Sequence, residues 1–115
     1  MPKEIIVPKG VLKDEHISHI EEILNLELTK IEYQLLLYLL SQIDTTNLVR
    51  LNKNEILAVK LNTTTRSITR AINKLEKSNL MKKTKFVGRT YMINPEFFNT
   101  KKNHEILVEV YNNEL

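Results

Sequence analysis

The segment from Leu51 to Asn94 constrains the fold most, because it contains two short helical patterns joined by one tight turn and followed directly by a β-hairpin. Asn52 is expected to cap the first helix, with Glu55 three positions on, and the helix extends to about Leu61. Asn62 suits the turn, because asparagine tolerates the left-handed backbone that such connections often need. The middle of the chain is therefore predicted to be a compact helix pair with a hairpin beside it.

The second helix of the pair is expected to begin after Thr63 or Thr64 and to extend through Ser78, with Asn79 ending it. One of its faces carries aliphatic residues at helical spacing, which marks the buried side: Ile68, Ile72 and Leu75. Ala58, on the preceding helix, is small enough to let the two helices approach closely. A small residue, a turn former and a buried aliphatic residue at this spacing are typical of a helix-turn-helix.

A β-hairpin follows the helix pair. Its strands are predicted over Leu80–Lys85 and Thr90–Asn94, and Gly88 lies in the tip between them. Phe97 and Phe98 come next and are expected to close the core beneath the hairpin. We therefore predict an α+β, mostly helical fold: a winged helix-turn-helix with a two-stranded β wing and flanking N- and C-terminal helices.

A strongly apolar helix is predicted before the pair. Thr29 and Glu32 form a capping box, in which each side chain accepts a backbone amide of the other residue, directly before the apolar run Ile31–Ile43. Apolar residues nearly encircle this helix, so we expect it at the centre of the core. The turn formers Asp44–Asn47 end it, and Leu48–Leu51 then favours a short strand.

The two ends of the chain are predicted to flank this domain. Residues 1–10 contain two prolines and a glycine and are expected to form a flexible arm. Amphipathic spacing predicts a helix over Val11–Asn25, which completes a winged helix-turn-helix domain of residues 11–98. Residues 99–115 are predicted to be a C-terminal helical dimerisation segment, with helical spacing over Glu105–Leu115. A homodimer would then form through the two outer helices.

Charge is distributed unevenly along the chain. The segment from Arg50 to Arg89 carries eleven Lys and Arg residues against two acids, whereas the remainder carries six basic residues against twelve acidic ones. A region of net charge +9 therefore lies between ends that sum to −6, within an overall charge of +3. Clustered cations gain binding free energy by displacing counterions from phosphates, so this pattern favours a nucleic acid as the partner.

The side of the second helix opposite its buried face is polar. Five residues on it are candidate contacts with DNA bases: Thr65, Arg66, Thr69, Arg70 and Asn73. A helix fits the DNA major groove, where Arg can bond guanine and Asn can bond adenine in pairs of hydrogen bonds, and each good pair discriminates by roughly 1 to 3 kcal/mol. Double-stranded DNA is therefore the predicted ligand, with a recognition helix at about 64–78 in the major groove.

Other residues are predicted to contact the DNA backbone: Lys53, Thr63, Thr64, Ser67, Lys74, Lys82 and Lys83. Hydroxyls and free amides at the helix N-terminus suit a phosphate. The hairpin, at about 81–94, is expected to lie on the backbone or enter a minor groove with Lys85, Gly88 and Arg89, of which Arg89 is the expected groove probe. Spacing alone does not decide which lysines of the two helices face DNA.

Enzymatic functions are disfavoured by the sequence. The only glycines are Gly10 and Gly88, so no phosphate-cradling loop is expected, and His16 and His19 share a helix face without a third metal ligand nearby. We expect a protein without catalytic activity, metal or cofactor. The chain has no cysteine, and its longest apolar stretch, Leu35–Leu40, is too short to span a membrane, so a cytoplasmic location is expected.

From Leu28 to Phe98 the chain resembles the winged-helix domain of plasmid replication proteins from low-GC Gram-positive bacteria, the RepL family in particular. The resemblance rests on three stretches: Leu51–Ala58, Thr65–Leu75 and, most distinctively, Tyr91–Phe98. It implies a protein that binds repeated or palindromic DNA sites at an origin and recruits replication enzymes. Three residues of this chain match the recognition helix of such domains: Arg66, Arg70 and Asn73. The segment Lys85–Arg89 matches their wing.

Three roles for a DNA-binding dimer stay open at this point. The resemblance favours replication initiation or control. The same helices would also serve a transcriptional repressor or the centromere-binding adaptor of a plasmid-partition system. Replication or partition proteins are therefore the expected protein partners. A winged helix used as a protein–protein interaction module is the alternative of another class. Two-fold symmetry would place DNA half-sites about one helical turn, or ~34 Å, apart.

Overall fold

The computed structural model describes residues 20–85, 87–98 and 103–115. Within these residues the chain forms an α+β fold with its elements in this order: α1 (Ile20–Asn25), α2 (Lys30–Leu40), β1 (Leu48–Arg50), α3 (Asn54–Lys60), α4 (Thr65–Lys77), β2 (Met81–Lys83), β3 (Thr90–Ile93) and α5 (His104–Asn113). The predicted arm of residues 1–10 and positions 11–19 of the predicted first helix lie outside the described residues. No helix in the described part is long and apolar enough to cross a membrane.

The helix predicted from the capping box is present as α2. The Glu32 amide donates to Thr29 Oγ1 at 3.3 Å and the Thr29 amide donates to Glu32 Oε1 at 3.0 Å, which confirms the box. Its position in the core is also confirmed, because four of its leucines are buried: Leu35, Leu36, Leu39 and Leu40. The helix ends three residues before the predicted Ile43, where the Ser41 hydroxyl bonds the Tyr38 carbonyl at 2.5 Å in competition with further helical bonding.

The turn between α2 and β1 is built from the residues predicted for it. The Asp44 carboxylate accepts the backbone amides of Thr46 at 2.8 Å and Leu48 at 3.3 Å. Burial raises the pKa of Asp44, but the hydrogen bond from the Thr46 hydroxyl and those from the two amides outweigh burial and hold the pKa below its ordinary value. Asn47 is fully buried and donates to the carbonyl of Phe98, which is itself buried as predicted, so the turn is tied to the segment after β3.

The start of α3 differs from the prediction. Asn52 does not cap this helix; Lys53 precedes it, and no side chain among the described residues caps its N-terminus. The prediction was wrong because Arg89 holds this segment from the hairpin. The Arg89 guanidinium donates to the Asn52 carbonyl at 2.5 Å, and the Leu51 amide donates to the Arg89 carbonyl at 2.8 Å. These bonds keep Asn52 outside the helix.

A single tight turn joins α3 to α4, as predicted. Asn62 has a φ of 52°, in the left-handed region, and the Thr63 amide donates back to the Ala58 carbonyl at 2.9 Å, which closes α3. Of the two threonines that the sequence offers as caps for α4, Thr64 fills the position, because its hydroxyl accepts the Ser67 amide at 3.1 Å. The connection between the two helices is therefore fixed by hydrogen bonds on both sides of Asn62.

The predicted hairpin is present as β2 and β3, and it is part of a three-stranded antiparallel sheet with the order β1-β3-β2, in which β1 is the short strand predicted over Leu48–Leu51. β1 pairs along one edge of β3 with Val49 opposite Tyr91, and β2 pairs along the other edge with Met81 opposite Ile93. All four side chains are buried in the main core. Pairing β1 with β3 satisfies backbone groups that would otherwise be buried without partners.

The sheet lies between two apolar clusters. Tyr91 and Ile93 of β3 belong to the main core with the helices α1 to α4, while Met92 between them belongs to a second cluster with Leu107 and Tyr111 of α5. This alternation follows from the two-residue period of a strand. The C-terminal helix, predicted for dimerisation, therefore covers the second face of its own sheet.

Asparagine supplies most of the left-handed backbone in the described residues. Four asparagines have positive φ there: Asn47, Asn62, Asn79 and Asn103. The other two residues with positive φ, glycine aside, are Glu27 and Arg89. In the hairpin the left-handed residue is Arg89, not the neighbouring Gly88. Because an asparagine side chain forms local hydrogen bonds, it lowers the cost of a conformation that most residues with a β-carbon avoid.

Replacing Asn62 by alanine should therefore destabilise the turn. We expect Asn62→Ala to lower the free energy of unfolding by about 1 kcal/mol, whereas Asn62→Gly, the matched control, should stay within about 0.5 kcal/mol of the parent. Urea unfolding followed by circular dichroism measures both variants. Equal losses in the two would show that the Asn62 side chain, and not its backbone conformation, stabilises the turn.

Candidate nucleic-acid interface

α4 separates into one buried and one exposed face. Its apolar face is at most 7% exposed and consists of Ile68, Ala71, Ile72 and Leu75, which confirms the predicted buried stripe. The five residues predicted to contact DNA bases are all exposed: Thr65, Arg66, Thr69, Arg70 and Asn73. Arg66, Arg70 and Asn73 follow one another at spacings of four and three residues, so they form a single stripe along the helix.

Hydroxyl groups at the N-terminus of α4 are bonded to each other. The Thr64 hydroxyl accepts the Ser67 amide and lies 3.0 Å from the Ser67 hydroxyl, to which it donates, while Thr63 is half-buried. The first backbone amides of a helix lack helical partners and lie at the positive end of its dipole. A phosphate at this end would therefore be held more by backbone amides than by the predicted hydroxyls.

The hairpin lysines differ in their surroundings. Lys83 and Lys85 are exposed, whereas Lys82 donates from Nζ to the Tyr111 carbonyl at 2.9 Å and lies 4.5 Å from the centre of the Tyr111 ring. Lys82 pairs with Met92 on the sheet face that α5 covers, which explains its direction. This lysine, predicted to contact the DNA backbone, is engaged with α5 instead.

Arg89, the expected groove probe, is folded back onto the protein. Its guanidinium donates to the Asn52 carbonyl at 2.5 Å and to Asn54 Oδ1 at 2.8 Å, and its Nε lies 3.4 Å from the Leu51 carbonyl. Gly88 beside it is exposed, with open space around it. Arg89 is exposed like Lys83 and Lys85, but its guanidinium is bonded to the protein.

Asn54 connects this arginine to α4. Its Nδ2 donates to Thr69 Oγ1 at 3.1 Å, and the Thr69 hydroxyl in turn donates to the Thr65 carbonyl at 3.1 Å. Asn54 could not be identified from the sequence, because nothing in the linear pattern separates it from the other eleven asparagines of the chain. Its role follows only from the three-dimensional proximity of the hairpin, α3 and α4.

Two further lysines predicted to contact the DNA backbone differ in exposure. Lys53 is exposed just before α3, and Lys74 is half-buried on α4. Glu76, one of the two acids of the segment, is exposed and acts electrostatically on the buried Tyr91. Burial raises the pKa of Tyr91, and the negative charge of Glu76 raises it further.

Tyr111 fixes the position of α5. Its hydroxyl donates to the carbonyl of Asn79 at 3.2 Å and to the side-chain oxygen of Asn79 at 2.9 Å, and Asn94 donates to the same carbonyl at 2.8 Å. Burial raises the pKa of Tyr111 far above its ordinary value, and Glu96 adds to the effect. The end of α4, the end of the sheet and α5 therefore meet at one hydrogen-bonded cluster.

Comparisons with protein-family models, with curated proteins and with solved structures found no match to the chain. What the surface can do is therefore judged from its own groups. Among the described residues, no three His, Asp or Glu side chains lie together in a way that could hold a metal ion. The exposed guanidinium, ammonium and amide groups of α4 and the hairpin are hydrogen-bond donors suited to an anionic polymer.

The engagement of Lys82 with α5 predicts a difference in chemical reactivity between neighbouring lysines. We expect acetic anhydride to acetylate Lys82 more slowly than Lys83 and Lys85, because the Lys82 amine is half-buried and bonded to the Tyr111 carbonyl. Peptide mass spectrometry after a short reaction measures the three rates in one sample. Equal rates at Lys82 and Lys83 would contradict the position assigned to Lys82.

Proposed function

We propose that this chain is a winged helix-turn-helix protein that binds double-stranded DNA, with α4 as the recognition helix and the β2–β3 hairpin as the wing. One observation carries the proposal. The exposed face of α4 is a stripe of Arg66, Arg70 and Asn73 inside a segment of net charge +9, and the opposite face of the same helix is buried. The succession α2, β1, α3, α4, β2, β3 and the strand order β1-β3-β2 support it.

The stripe on α4 has the reach of a few base pairs. Arg66 and Asn73 are seven residues apart, which corresponds to about 10 Å along a helix that rises 1.5 Å per residue. Successive base pairs rise about 3.4 Å, so one helix would read about three steps. The arginines suit guanine and Asn73 suits adenine, because each side chain can form two hydrogen bonds to the respective base edge.

Contacts with the DNA backbone come, in this proposal, from residues around the stripe. Lys83 and Lys85 of the wing are exposed and free to approach phosphates, as is Lys53 before α3. The N-terminus of α4 supplies backbone amides. Lys82 and Arg89 act within the protein instead, because both side chains are bonded to it.

We further propose that the protein works as a homodimer without catalytic activity, in plasmid replication initiation or control. The resemblance of Leu51–Ala58, Thr65–Leu75 and Tyr91–Phe98 to plasmid replication proteins supports this role over repression or partition. Because α5 packs on its own sheet, its outer face, with Ile106 61% exposed, is what remains for a partner subunit. Two recognition helices would then read half-sites of a repeated or palindromic sequence.

A second candidate function is supported by the outer face of α3. Ile56 and Val59 lie one turn apart on it, and Val59 is 81% exposed, the highest exposure among the large apolar side chains of the described residues. Apolar residues in such a position are suited to a protein partner. A protein–protein interaction module would use this face, and its binding would depend far less on salt than DNA binding does.

Arg66 tests base reading by α4. Arg66→Lys keeps the charge but loses the two parallel hydrogen bonds of the guanidinium, so affinity for the preferred duplex should fall roughly tenfold while affinity for unrelated duplexes is retained. The preferred duplex is first selected from a random pool, and fluorescence anisotropy then gives both affinities. Lys30→Ala, a charge change far along the sequence from this segment, is the control. Equal loss for both duplexes in Arg66→Lys would remove Arg66 from base reading.

Lys83 tests the wing. Lys83→Ala should weaken binding to every duplex by a similar factor and reduce the slope of log affinity against log salt by about one unit, because one phosphate contact is lost. Titrations at four salt concentrations measure the slope. An unchanged slope would exclude Lys83 from phosphate contact, and a parent protein whose affinity is flat in salt would favour the protein-interaction alternative.

A further inference from the structure

Three side chains form a hydrogen-bonded bridge across three elements. Arg89 of the hairpin donates to Asn54 Oδ1 at 2.8 Å, and Asn54, the first residue of α3, donates from Nδ2 to Thr69 Oγ1 of α4 at 3.1 Å. The Arg89 guanidinium also bonds the Asn52 carbonyl. The hairpin is thereby joined to both helices of the pair.

We infer that Arg89, Asn54 and Thr69 are positioning residues, which fix the wing relative to the recognition helix, and that Arg89 and Asn54 act on DNA only through that arrangement. The inference rests on the proposed function, since it assigns these residues a part in presenting the DNA-binding surface. A wing already held in place loses less conformational freedom on binding than a mobile one, and this raises affinity without any added contact.

The chemistry of Asn54 fits this role closely. A side-chain amide carries an acceptor and donors on one rigid group, so it can accept from a guanidinium and donate to a hydroxyl at the same time. An ionised aspartate has no donor, and alanine has neither group. Asn54 is half-buried, while its two partners, Arg89 and Thr69, are exposed.

The bridge also changes what Thr69 presents to DNA. Its hydroxyl donates to the Thr65 carbonyl and accepts from Asn54, so its donor is used within the protein. Its methyl group is what remains for the groove, and a methyl group suits contact with the methyl of thymine. Thr69 therefore combines a positioning role with an apolar contact.

The first experiment needs no DNA. Amide hydrogen exchange is measured by NMR at Leu51, whose amide bonds the Arg89 carbonyl, and at Thr84, whose amide bonds the Thr90 carbonyl in the hairpin. Asn54→Ala and Arg89→Gln each remove more than one of the side-chain hydrogen bonds made by these residues. We therefore expect exchange at both amides to be at least about fivefold faster, which is the effect of losing a single hydrogen bond. Thr65→Val, which alters a neighbouring exposed threonine of α4, should leave both rates unchanged.

The outcomes of this first experiment are distinct. An acceleration in the double variant that is smaller than the product of the two single accelerations supports a single bridge, because the effects of residues that act together are not additive. Unchanged exchange in folded variants overturns the bridge. If Asn54→Ala does not fold, Thr69→Val, which keeps the side-chain shape and removes only the hydroxyl, carries the same test.

The second experiment separates positioning from direct contact. Asn54→Ala keeps every charge, so as a positioning change it should lower DNA affinity several-fold with an unchanged salt slope. A direct contact between Arg89 and phosphate would instead lower the slope by about one unit in Arg89→Gln and leave Asn54→Ala at parental affinity, which overturns the inference. Absence of DNA binding in the parent protein would refute the proposed function, while hydrogen exchange would still decide the bridge.

Discussion

The burial of one face of α4 is the constraint on which the rest of this structure depends. Ile68 and Leu75 are fully buried, and each such side chain contributes about 1.5 to 3 kcal/mol through removal from water. The leucine-rich α2 packs against this face, and α3 packs beside it. Burial of one face fixes the rotation of the helix about its axis, and therefore the direction of the opposite face. The period of 3.6 residues then directs Arg66 and Arg70 outward, so the same burial that stabilises the fold creates the candidate interface.

Polar side chains fix the connections between the helices and strands. Asn62 and Asn79 supply left-handed backbone after α3 and α4, Asn47 joins the turn before β1 to the segment after β3, and Asn54 joins the hairpin to α4. In a chain with two glycines, asparagine takes positions where left-handed backbone is needed. Its amide also bonds neighbouring backbone and side chains, so each of these connections is defined in direction as well as in conformation.

Local and periodic features could be predicted from the sequence, because short-range physics determines them. The Thr29–Glu32 capping box, the turn at Asn62 and the buried stripe of α4 all depend on residues within a few positions of one another. The pairing of β1 with β3 could not be predicted in this way, since it joins Val49 to Tyr91 across more than forty residues. The cap assigned to Asn52 failed for the same reason, because Arg89 reaches it from the hairpin.

Within the candidate site, exposure followed the predicted helix faces, but charge alone did not reveal which cations were free. Lys82 and Lys83 are adjacent and identical in type, yet one bonds the Tyr111 carbonyl and the other is exposed. Whether a cation faces solvent depends on which acceptors lie across the sheet from it, and those acceptors come from α5. The basic segment therefore contains two kinds of cation, those that hold the protein together and those available to a partner.

DNA binding through α4 and the wing is the central claim of this account, and mapping the surface that DNA contacts tests it. Titrating ¹⁵N-labelled protein with a duplex selected from a random pool, and following backbone amide shifts by NMR, locates the contact residue by residue. The account predicts that the largest shifts fall on the exposed face of α4 and on Lys83 and Lys85. Shifts centred on Ile56 and Val59 or on α5, or no shifts at low salt, would contradict it.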